Sequence, residues 1–95
     1  MDKVYHKLFE QMFAELMTAE TYTDIYRMIE HSPDSSEHNF VEIKNNIKMI
    51  AKEEIKHYEI LHNYLMTVPN ADQHYKKAME HFQEKIILKV KECIM

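Results

Sequence analysis

The chain has no glycine, no tryptophan, two prolines and one cysteine among its 95 residues. Each scarcity removes a class of structure. A β-rich fold needs glycine where tight turns take positive φ, so strand-based architectures are excluded and strong helix formers dominate what remains. A single cysteine, Cys93, cannot build an internal disulfide framework or a four-cysteine metal site, and it fits a reducing compartment. No apolar run approaches the length of a membrane span, and the start Met1-Asp2-Lys3-Val4 has no signal-peptide core. A cytoplasmic chain without a membrane partner is expected. Basic stripes are also missing. With a formal net charge of -4, nucleic acid has no electrostatic footing here.

What is present reads as one small all-α domain with three helices over about 2–31, 37–66 and 70–93. Asp2 can cap the first, whose apolar set is Leu8, Met12, Phe13, Leu16, Ala19, Tyr22, Tyr26 and Ile29. Pro33 disfavours helical geometry at Ser32, and the polar run from His31 to Ser36 favours a turn. The second helix ends at Thr67-Val68-Pro69. Asn70 then caps the third, with Gln73 completing a capping-box-like pair, and Tyr75, Ala78, Met79, Phe82, Ile86 and Val90 share one side. The eight methionines read as core filler. Two helices of about 30 residues extend about 45 Å each. A thin hairpin of that length cannot cover both faces of its seam, so a homodimer of hairpins, forming a four-helix bundle, is expected.

One seam of the second helix carries chemistry. Steps of four and three run Ile43, Ile47, Ile50, Glu54, His57, Leu61 and Leu65, and the two ionisable positions adjoin each other one turn apart. A buried carboxylate is costly unless it is paired or coordinates a metal. Glu-x-x-His spacing alone means little, since this composition yields about one such pair by chance. The chain holds a second, Glu59 and His62, which lies off the seam beside Lys52 and Lys56 and reads as solvated. Position on the seam separates the two pairs.

A metal site would need a further carboxylate from the first helix. Glu20 follows Phe9, Phe13 and Leu16 at helical spacing, while Glu15 lies between Met12 and Ala19 on the neighbouring stripe. Counting back from the loop centre places Glu15 nearer the height of Glu54, so both stay open.

Glu20-Thr-Tyr22 with Tyr26 beyond, and Ala51-Lys-Glu-Glu-Ile-Lys-His57 running on to Leu61 and Leu65, resemble the first half of a ferritin-like or rubrerythrin-like di-iron protein over residues 10–66. The resemblance implies metal ligands Glu20, Glu54 and His57, iron (or manganese) as the bound metal, and ferroxidase activity toward Fe(II) with dioxygen or peroxide as oxidant. By its spacing it favours Glu20 over Glu15. Ferritin-like chains usually carry two such halves, and this one carries one. In that respect it is similar to the encapsulated ferritins, whose short chains complete the site across a dimer interface. Two copies of three ligands would supply four carboxylates and two imidazoles, the di-iron complement. A larger protein assembly or compartment is a further expected partner, although the end Lys89-Val-Lys-Glu-Cys-Ile-Met95 has no flexible targeting linker. A metal-free helical assembly module, in which Glu54 and His57 pair to set register, is the competing expectation. Rubrerythrin-type peroxide reduction is weakened by the missing cysteine-rich electron-entry module.

Overall fold

The structure is a computed structural model of the whole chain, and it describes residues 2–34, 36–71, 73 and 80–94. Three helices are defined: α1 (Asp2–Glu30), α2 (His38–Leu65) and α3 (Glu80–Ile94). No strand occurs among the described residues.

Local chemistry sets the ends. α1 closes with His31 N–H donating to the Arg27 carbonyl and Ser32 N–H to that of Ile29, which tightens the last turn just ahead of Pro33. The Asp34 N–H then donates to Ser32 Oγ, and Glu37 enters α2 as an N-cap in extended backbone (φ −66°, ψ 144°) without a side-chain cap. At the far end, Thr67 Oγ1 donates to the Tyr64 carbonyl at 2.7 Å, satisfying an orphan acceptor of α2. Asn70 directly precedes helical backbone at Ala71, the position that the sequence reading gives it. Its φ is 63°, in the left-handed region that asparagine tolerates. Its carbonyl accepts from the Gln73 N–H. The side chains of Asp2, Tyr75, Ala78, Met79 and Phe82 lie outside the described residues.

α1 and α2 pack as the predicted antiparallel hairpin, and α3 runs along one side of it. The shared core is Phe9, Met12, Leu16 and Ala19 from α1, Ala51, Ile55, Tyr58 and Leu65 from α2, and Ile86 and Val90 from α3. Most of the α1 set is as the periodicity predicts, with Phe9 added and Leu8, Phe13 and Tyr22 only half-buried. The α2 seam is not. Leu65 is buried, but Ile47, Ile50 and Leu61 are half-buried and Ile43 is 45% exposed. The buried stripe is the one reached by moving round α2 by one residue, about 100°. Ala51 is small enough to let the helices approach, and Tyr58 reaches Gln83 of α3. Among the described residues a second apolar stripe, half-buried to exposed, therefore flanks the first.

The resulting rod measures 50 × 21 × 18 Å, with a radius of gyration of 15.6 Å. A compact chain of this length would have a radius of about 12 Å. Its accessible surface is 6600 Å², against about 5,800 Å² from the size scaling of monomeric proteins. The excess is comparable to what one partner contributes to a standard interface, about 800 Å².

Candidate metal centre

Three potential ligands converge on the uncovered side of the hairpin. One ligand atom from each of Glu15, Glu54 and His57 lies within 4.8 Å of the others. Glu15 comes from the middle of α1. Glu54 and His57 are one turn apart on α2, so their side chains point to the same side. His57 Nδ1 is 3.6 Å from Glu15 Oε2, an ion-pair distance when the ring is protonated and too long for a good hydrogen bond. Glu15 and Glu54 are half-buried, the Glu15 side chain 19% exposed, while that of His57 is 53% exposed. Neither Glu54 nor His57 is therefore enclosed within a single chain, contrary to the buried seam read from sequence.

The two carboxyls face each other closely enough to hold one proton between them. The hydrogen bond to Glu15, then burial, then the neighbouring Glu15 charge push Glu54 up to about 7, opposed by the charge of His57. Glu15 moves the opposite way: the bond from Glu54 holds it below its ordinary value, helped by Gln11 and His57 and opposed by burial. The two carboxyls titrate as a unit.

Glu20 is not in this group. It sits half-buried on the other side of the hairpin, where Lys89 Nζ of α3 lies 3.3 Å from its Oε2 and 2.7 Å from Asp24 Oδ1. Both carboxylates raise the pKa of Lys89, Asp24 most. Helical geometry explains the separation. Five residues advance the chain by about 500°, so Glu15 and Glu20 point about 140° apart around α1. The height count from the loop selects the carboxylate that the fold brings to Glu54, whereas the resemblance selects the other.

The second Glu-x-x-His pair is divided by its surroundings. Glu59 pairs with Lys91 of α3 at 3.3 Å, half-exposed as the sequence implies. His62 is half-buried with its ring 5.7 Å from that of Tyr58. Among the tyrosines, Tyr58 is buried and receives a hydrogen bond from the Gln83 amide. Tyr26 lies under the Lys44 ammonium, 5.2 Å from its ring centroid.

The donor set suits a hard or borderline divalent ion, with two carboxylates and one imidazole. Bonds of about 2.1 Å would bring adjacent ligand atoms to about 3 Å of one another. The half-exposed His57 ring has room to swing inward by that amount. Sequence reading missed Gln11, whose amide binds Glu15, and the Lys89–Asp24 pair. Gln11 and Glu15 had an available signal in their spacing of four. Compared with known proteins, the chain matches no family model, no curated protein and no solved structure.

Proposed function

We propose that the chain is one half of a two-metal carboxylate protein that binds and oxidises Fe(II), with the other half supplied by a second copy. The observation that carries this reading is the convergence of Glu15, Glu54 and His57 at the middle of an uncovered apolar stripe. Carboxyls close enough to share a proton are close enough to share a cation. Ile43, Ile47, Ile50 and Leu61 extend the stripe to both sides of the cluster along α2, and Leu8 and Tyr22 extend it along α1. A two-fold partner seated there would double the ligands to four carboxylates and two imidazoles, which is a di-iron complement.

Glu15 and Glu54 provide hard, anionic oxygens that would stabilise Fe(III) over Fe(II), and so make a bound ion easier for an oxidant to oxidise. Each Fe(II) substrate gives up one electron to dioxygen or peroxide. Manganese meets the same donors. The role proposed for Glu20 passes to Glu15, because Glu20 is neutralised by Lys89.

A metal-free assembly module remains the second reading, favoured by one specific observation: Glu15 and Glu54 pair with each other, with His57 at ion-pair distance, without a metal. One experiment separates the two. Fe(II) is added to the purified chain under air at two ions per pair of chains, and ferric absorbance is followed with metal content. Stoichiometric uptake with fast oxidation, lost in Glu54→Ala and His57→Ala, supports iron oxidation. No uptake, with both variants folded and still dimeric, selects the assembly module.

A further inference from the structure

Glu15 does not present its two oxygens equally. The Gln11 side-chain amide, one helical turn earlier, donates from Nε2 to Glu15 Oε1 at 3.0 Å. Residues four apart on a helix are neighbours, so the amide needs no other element to hold it there. Oε2 is the oxygen that faces His57 Nδ1. One oxygen is thus tied to its own helix and the other is aimed at the cluster.

We propose that Gln11 is a positioning residue that makes Glu15 a one-oxygen ligand and so sets the site's preference for small transition ions over calcium. This rests on the metal-binding reading above. Calcium takes six to eight oxygens at about 2.3–2.6 Å and readily draws both oxygens of a carboxylate. Smaller ions that accept an imidazole need only one oxygen from each arm. With Oε1 engaged by the amide, a calcium ion loses a ligand atom that it would use, while a manganese or ferrous ion loses nothing.

The test compares MnCl2 and CaCl2 titrated calorimetrically into the full chain, in the original protein and in Gln11→Met, Gln11→Glu and Gln11→Lys. Methionine keeps the length and helix propensity without the donor. In Gln11→Met the preference for Mn²⁺ over Ca²⁺ shrinks roughly tenfold, the lower end of what losing a ligand-orienting partner does. In Gln11→Glu it shrinks at least as far. Gln11→Lys, which restores a donor at the same reach, returns the ratio toward its original value even as its charge weakens both ions. A merely structural role for Gln11 would weaken both ions alike, and an unchanged ratio with binding intact overturns this inference alone. If the original protein takes up neither ion, the metal-binding reading falls and this inference falls with it.

Discussion

The two flanks of the α1–α2 hairpin start from similar material and end differently. On one flank, α3 lays Ile86 and Val90 onto the core, and its lysines reach Glu20, Asp24 and Glu59. Glu20, Asp24 and Glu59 each have a lysine partner. On the other flank, an equally apolar stripe is left half-exposed, and its carboxylates Glu15 and Glu54 face each other instead of a lysine. Acidic groups countered by lysine are finished structure. Acidic groups left facing each other beside a histidine are the ones on which the proposed cation site rests. The contrast marks the half-exposed stripe as the surface on which the proposed metal and partner binding rests.

Truncations in the two stripes sharpen the contrast most. Leu16→Ala or Ile55→Ala removes a side chain that is 1% exposed, and is expected to cost about 2–5 kcal/mol in urea denaturation at every protein concentration. Ile50→Ala, on the uncovered stripe, should cost under about 1.5 kcal/mol at high dilution. Ile50→Asp should leave the helical circular-dichroism signal in place and abolish self-association in sedimentation. If Ile50→Ala costs as much as Ile55→Ala at high dilution, the stripe belongs to the core of a single chain and the comparison fails.

Exchanging the α1 carboxylates is the next largest effect. Glu15→Ala should weaken Mn²⁺ binding at least as much as the 10–100-fold lost with an outer partner of a metal ligand, while Glu20→Ala leaves affinity within about twofold. Calorimetric titration of both variants decides it. The reverse order would mean that the resemblance locates the site better than the fold does.

That disagreement marks how far the sequence was legible. The three helices and the break at Pro33 follow from periodicity and turn chemistry, both local properties. Glu54 and His57 are legible as a pair because both sit on one helix. Which α1 carboxylate meets them depends on rotation about α1, and no short motif encodes rotation. The α2 stripe was misread for the same reason. Its apolar arc is wide enough to contain both Ile50–Glu54–His57 and Ala51–Ile55–Tyr58, and only the placement of α3 decides which half is covered. Gln83 of α3, buried against Tyr58 with its Oε1 atom unpartnered among the described residues, is a polar residue that an apolar pattern would never select.

Acidity gives a smaller effect with a definite sign. Glu54 titrates near 7 in the fold against an ordinary 4.5, so the folded chain holds a proton that the unfolded chain releases. Stability is therefore expected to fall as pH rises from about 4.5 to 7. Glu15, shifted the other way, acts below that window, where stability is lost as pH falls through its lowered value. Saturating Mn²⁺ replaces the shared proton and should reverse the slope between 4.5 and 7. Thermal melts across this range, with and without metal, check both signs. Glu54→Gln should flatten the metal-free profile.

The covered flank gives the smallest expected change. Lys89 bridges Glu20 and Asp24 with its side chain 31% exposed, and pairs this open to solvent contribute about 0–1 kcal/mol. Lys89→Met should lower stability by no more than that, with the loss shrinking further in high salt. The aliphatic stem survives the substitution, so the packing of α3 through Ile86 and Val90 is kept. Mn²⁺ affinity at Glu15, Glu54 and His57 should be unchanged, because Lys89 lies on the opposite flank. A large change in metal affinity in Lys89→Met would show that the two flanks are coupled through α1, and that the division drawn between them is false.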